Sequence, residues 1–179
     1  MVSTLADDTS QPSCTAWICR HCARSLAPAN PRQVTRFTPT CCASRRVLAH
    51  KVATTLEACH AKEVLQQALA NFGTPQIVNT DQGSQFTVTA FTEVVLSSGA
   101  KLSMDGRCAW RDNVFIERVW RSIKYERVYL KAYGSVSTAR ADIAQYFEWY
   151  NTQRSHGSVG DVTPCEAYVM HLHKQLKVA

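Results

Sequence analysis

The stretch Gln76-Ile77-Val78-Asn79-Thr80-Asp81-Gln82-Gly83-Ser84-Gln85-Phe86 decides how this chain is read. Its apolar opening suits a short buried strand, and Asp81 stands where that strand gives way to a turn. Gly83 and the short polar side chains after Asp81 let the backbone pass close to whatever the carboxylate holds. Asp-Gln-Gly after a strand is also a common turn with no chemistry, so the stretch takes its meaning from a second one. After 35 intervening residues comes Glu117, within Asp112-Asn113-Val114-Phe115-Ile116-Glu117-Arg118-Val119-Trp120-Arg121-Ser122-Ile123-Lys124. Asp112 reads as the N-cap of a long helix running toward Val128. Glu117, Arg121 and Lys124 fall at i, i+4 and i+7 on one face, while Phe115, Val119 and Ile123 form a stripe to pack on a sheet. Glu117 with Arg121 alone would be an ordinary helix pair worth a few tenths of a kcal/mol.

Outward from these stretches, strands alternate with helices, which points to an α/β sheet. A strand is expected over 44–52, then a helix capped by Thr54 or Thr55 and stopped by Gly73 after Phe72. A second helix spans about Thr89 to Ser98, a strand follows over 100–104, and another helix spans roughly Thr138 to Tyr150. The tail around Thr163-Pro164-Cys165-Glu166-Ala167-Tyr168 predicts one more short helix with proline in its first turn. Trp110, Trp120 and Trp149 are read as core residues, and no internal repeat is present.

A carboxylate just past a strand end and another on a nearby helix suit a hard divalent cation, which takes oxygen ligands and keeps places for water and phosphate. Two such ions about 3.5–4 Å apart can stabilise the attacking and leaving oxygens of a phosphoryl transfer. The Asp81 phrase, the 35-residue gap, Asp112-Asn113 before Glu117 and Lys124 seven residues after it together resemble the second half of the Asp-Asp-Glu signature of insertion-sequence transposases and retroviral-type integrases. Tyr150-Asn151-Thr152-Gln153-Arg154-Ser155-His156 and Thr163-Pro164-Cys165-Glu166-Ala167 resemble the closing segment of the same transposases, so the likeness runs from Ser44 to Tyr168. The resemblance implies a ribonuclease-H-like integrase catalytic core. It makes Asp81 and Glu117 catalytic residues and ligands of Mg²⁺ or Mn²⁺, and Lys124 a DNA contact. It further implies element ends and target DNA as partners, a homo-oligomer, no membrane, and a place in the bacterial cytoplasm on the nucleoid. His156 is expected to be structural or near the DNA.

Charge supports an anionic partner. The chain carries +6 overall, and residues 101–131 hold eight Lys and Arg against four acids. Arg118, Arg121 and Arg127 therefore join Lys124 as expected DNA contacts. A solvated basic face with no partner would look the same from charge alone. No run of 18 apolar residues suggests a transmembrane helix, and no secretory signal is apparent.

The N-terminus departs from the pattern. Residues 1–50 contain no Gly, Lys, Glu or Tyr and hold five of the eight cysteines. The resembled family opens its core with a phrase like Trp-x-x-Asp-Ile-Thr-Tyr-Ile on the central strand. By spacing, that first aspartate should fall near Ala23, where Cys19-Arg20-His21-Cys22-Ala23-Arg24-Ser25 offers no carboxylate. The only upstream acids are Asp7 and Asp8. Three parts are therefore expected: a foreign or frameshifted segment over 1–43, an integrase-like core over 44–168 lacking its first two strands, and a tail over 169–179. Such a core would expose sheet edges and aggregate, and with one acid missing it would be inactive. The alternative is a non-catalytic DNA-binding remnant. A lesser one is a zinc module on Cys19, Cys22, Cys41 and Cys42, with Cys14 and His21 as spares, although an adjacent pair presents two sulfurs poorly to one ion.

Overall fold

The computed structural model describes residues 15–23, 34–55, 57–104 and 114–176. Five strands form one sheet: β1 (Thr15–Ala23), β2 (Val34–Cys41), β3 (Lys51–Ala53), β4 (Ile77–Thr80) and β5 (Lys101–Met104). Their order is β3-β2-β1-β4-β5. The meander β1-β2-β3 is antiparallel, whereas β4 and β5 add in parallel beside β1.

This corrects the expectation of a core without its first two strands. β1 and β2 pair along eight positions, from Ala16 opposite Cys41 to Ala23 opposite Val34. A ladder is made by backbone N–H and C=O groups, so it forms without the family's side-chain phrase. β4 consequently has both neighbours, and the sheet's edges are β3 and β5. The expected loss of pairing partners, and the aggregation argued from it, falls away.

The strand expected over 44–52 is broken. Arg45 takes φ 67°, so Cys42–Ser44 turn back. Only a bridge from Val47 to Thr40 precedes the short β3. Helix α1 (Ala58–Phe72) begins after Glu57 rather than at Thr54 or Thr55, and Gly73, at φ 76°, ends it by donating to the Leu69 carbonyl. Short α2 (Ser84–Thr87) and α3 (Thr89–Ser97) follow β4. α4 (Val114–Ile123) continues into a π-helical turn, Lys124–Val128, so the helix does reach the predicted Val128. Asp112, the expected cap, and Trp110 lie outside the described residues. α5 (Val136–Thr152) is capped by Ser135, whose hydroxyl accepts from the Thr138 N–H. α6 (Pro164–Leu176) opens on a capping box in which Thr163 and Glu166 satisfy each other's backbone N–H groups, and it runs beyond the short helix expected.

Two apolar cores sandwich the sheet. Phe37, Leu65, Val78, Phe86, Phe91 and Val95 form the first, under α1 and α3. The second joins α4 and α5 through Ile116, Val119, Trp120, Ile123, Ile143 and Phe147. Asn151 stitches α5 to the sheet side: its amide accepts from the Val47 N–H and donates to the Val47 carbonyl, both at 2.9 Å. Trp120 is core as expected, but Trp149 is partly exposed.

Candidate functional site: an acidic strand end and a basic cleft

Asp81 is the first residue past β4, and its Oδ1 accepts from the Gly83 N–H at 2.9 Å. That Asx-type turn fixes the carboxylate and explains the glycine. A Cβ at position 83 would fall 2.8 Å from Asp81 Oδ1 and closer still to the Gln85 amide. Gln85 is itself almost wholly buried, and neither of its polar side-chain atoms has a partner. Sequence reading took Gln85 as part of the phrase and did not foresee a buried, unsatisfied amide beside Asp81.

Glu117 is exposed in the first turn of α4. α4 packs against β1, the strand between β2 and β4, so Asp81 and Glu117 sit on elements that share one neighbour. In the resembled family the first acid stands on the central strand, and β1 is the central strand here. Its register sets Ile18 level with Thr80, the residue before Asp81. The strand reads Thr-Ala-Trp-Ile-Cys-Arg-His-Cys-Ala and contains no carboxylate. Ala23, the position reached by spacing, is its last residue. In the resembled phrase the acid follows the tryptophan by three, and three residues after Trp17 the strand carries Arg20. Asp7 and Asp8 lie outside the described residues.

The α4 surface divides differently from the sequence reading. Ile116, Val119, Trp120 and Ile123 are its buried face. Phe115 turns instead into a cleft of about 450 Å³, where the Arg45 guanidinium lies 3.2 Å from its ring centroid. Arg118, Arg121 and Tyr125 line the same cleft, and Arg154 and His156 close it from the segment after α5. Arg45, Arg154 and Tyr125 were not singled out by charge or spacing, because they reach the cleft from three separate elements.

Electrostatics sort these cations. Arg154 donates to both Glu126 carboxylate oxygens at 2.6–2.7 Å, and Tyr146 donates to Oε2 at 2.8 Å. This network ties the π-helical turn to α5. Burial works against the Arg154 charge, but Glu126 outweighs it and holds the guanidinium more basic than usual. Burial lowers the Arg45 pKa, with Arg118 adding repulsion. His156 is also pushed down, first by burial and then by Arg154 and Arg45, which keeps its imidazole neutral. Its ring lies 4.8 Å from that of Tyr150, and its buried Nε2 has no partner.

Of the other expected DNA contacts, Lys124 is half-buried at the start of the π-helical turn. Arg127 lies 3.9 Å from the Asp142 carboxylate and has its guanidinium over the Tyr146 ring, so it already has intramolecular partners. Lys131 and Tyr133 also donate to Asp142. Burial alone would raise that carboxyl's pKa, but these hydrogen bonds and the nearby cations outweigh it and hold it low.

The zinc reading does not survive the fold. Cys19 and Cys22 are both within β1, whereas Cys41 ends β2 and is buried. Three residues of extended strand span about 10 Å, too far for two sulfurs each about 2.3 Å from one zinc ion. Among the described residues, one group of three potential ligands lies close together: Glu57, Cys59 and His60 at the start of α1, where the Cys59 thiol donates to Glu57.

Two integrase core domain profiles match, one over residues 25–107 and one over 98–164. The chain belongs to the integrase core family, which the two matches together cover over residues 25–164. It is 27% identical over 90 residues to the putative transposase InsK of insertion element IS150 from Escherichia coli, covering 50% of this chain and 32% of that one. It is 32% identical over 89 residues to the IS904 transposase of Lactococcus lactis, covering 49% and 35%. Against the putative IS986/IS6110 transposase of Mycobacterium tuberculosis it is 26% identical over 131 residues, covering 69% and 47%. The matches thus span a third to a half of these relatives' length. Among solved structures, the HTLV-2 integrase catalytic core in complex with magnesium matches at TM-score 0.62 and 16% identity, covering 88% of this chain and 97% of that one. The BIV integrase catalytic core matches at 0.68 and 17%, covering 89% and 97%. These likenesses establish the ribonuclease-H-like integrase-core fold. Among the described residues no helix is long and apolar enough to cross a membrane.

Proposed function

We propose that this chain is the catalytic-core portion of an insertion-sequence transposase that engages element ends and target DNA in the bacterial cytoplasm, and that its metal site is incomplete. The observation that carries the reading is Asp81 directly past β4, beside a β1 that contains no carboxylate, with Glu117 on the helix packed against β1. Asp81 and Glu117 are the catalytic acids in this reading. They are hard oxygen donors suited to Mg²⁺ or Mn²⁺. A bound ion would polarise the phosphodiester and stabilise the charge that develops during strand cleavage and transfer. The Asp81 carboxylate is oriented for that task by the Gly83 N–H. Two acids can hold one ion weakly, but a pair of ions needs the donor that β1 does not supply. Lys124, Arg121 and Arg118 hold the phosphate backbone, with Arg127 contributing charge from its place beside Asp142.

The family reading also implies a homo-oligomer. DNA binding itself is tested by titrating labelled duplexes of several sequences at rising salt. Affinity should vary little with sequence and fall steeply with salt. No binding even at about 50 mM salt would overturn the reading.

A further inference from the structure

Duplex binding along α4 uses Arg118 and Arg121 but does not account for Arg45 and Arg154 beside them in the basic cleft. Its lining brings together four guanidiniums, those of Arg45, Arg118, Arg121 and Arg154, with one carboxylate, Glu126. Glu126 is matched to Arg154. Arg118 and Arg121 are exposed and have no carboxylate partner among the described residues. The volume of about 450 Å³ falls within the range of about 300–1,000 Å³ typical of pockets for a single small ligand. It is far too small for a duplex to enter.

One wall offers a stacking surface. Tyr125 is 61% exposed. The ring is braced edge-to-face by Tyr129 at 5.3 Å, with the Arg121 guanidinium 5.9 Å from its centroid. Aromatic and guanidinium groups beside a positive groove are what unpaired bases stack on, and a paired base offers them no free face. The buried His156 Nε2 adds a polar atom that a ligand oxygen or base edge would satisfy.

We propose that this cleft holds one unpaired nucleotide of a DNA strand, with its phosphate on Arg45 and Arg118 and its base against Tyr125. The assignment rests on the reading of the chain as a DNA-acting core, and it adds to that reading a preference for DNA whose strands are locally separated.

Fluorescence anisotropy with a blunt duplex, the same duplex carrying an unpaired flank, and the free single strand tests it. The wild-type chain should bind the flanked duplex about tenfold more tightly than the blunt one. Tyr125→Ala should abolish that ratio, Arg118→Ala should lower it, and Lys124→Ala should leave it intact while weakening both complexes. Tyr125 is largely exposed, so its truncation leaves the core in place, which a thermal melt verifies. A wild-type chain that binds both duplexes equally, or a Tyr125→Ala variant that keeps the ratio, overturns the cleft assignment while the DNA reading stands. Failure to bind any of the three DNAs overturns both.

Discussion

β1 and β4 lie side by side in one sheet, in register from Thr15 opposite Ile77 to Ile18 opposite Thr80. They differ in what they contribute. β4 delivers Asp81 at its end, with a glycine turn shaped around that carboxylate. β1 delivers the longest strand and the centre of the sheet, but no acid. A strand's place in a sheet is set by backbone groups that every residue except proline carries. A metal ligand is set by one side chain, and no neighbouring backbone replaces it. On the proposed reading, a sequence can keep the architecture of an integrase core without one of its acids.

The comparison breaks if β2 and β1 are not truly part of the fold. Phe37 on β2 is fully buried among Leu65, Val78 and Phe86, so Phe37→Ala should destabilise the chain by about 3–5 kcal/mol in urea unfolding. A loss below about 1 kcal/mol would detach β2 from the core, because a buried Phe cannot be truncated that cheaply.

Much of the β4 side was legible in sequence. The strand at Ile77, the acid past it, the helix stop at Gly73 and the Glu117 helix are local patterns of period, turn and cap. β1 was not legible, and of β2 only a short strand over Val34-Thr35-Arg36-Phe37-Thr38 could be read. Thr15–Ala23 mixes Cys, Arg and His without clear alternation, and its strand state is fixed by partners at β2 and β4 far along the chain. The cleft was invisible for the same reason. Arg45, Tyr125 and Arg154 converge only because a left-handed turn, a π-helical turn and the end of α5 meet. Phe115 misled because a strict helical stripe assigned it to the sheet, whereas the Arg45 guanidinium covers its ring.

On the chemical side, Lys124→Ala should weaken duplex binding and reduce the slope of log affinity against log salt by about one unit. An unchanged slope would remove Lys124 from the phosphate contacts and shift the interface toward the cleft.

The smallest expected effect concerns Asp142, whose carboxyl is held below its ordinary range by Lys131, Tyr133 and Arg127. A depressed folded pKa stabilises the protein above the unfolded value of about 3.9 and is lost as pH falls below it. Melting temperature should thus drop below about pH 4, and less steeply in Asp142→Asn. Equal acid slopes for both proteins would mean that the network contributes nothing to folding.

The central claim is that β1 supplies the sheet's centre but not its acid. The most direct test is a strand-transfer assay in Mn²⁺ on oligonucleotides carrying the element's own ends, comparing the wild-type chain with Arg20→Asp. Losing one of two metals forfeits several kcal/mol of transition-state stabilisation, so wild-type rates should fall at least about 10³-fold and leave no detectable product. Arg20→Asp should restore measurable transfer that Asp81→Asn or Glu117→Gln abolishes. Wild-type product that disappears on Asp81→Asn or Glu117→Gln would contradict the claim, and would make Asp7 or Asp8 the third ligand.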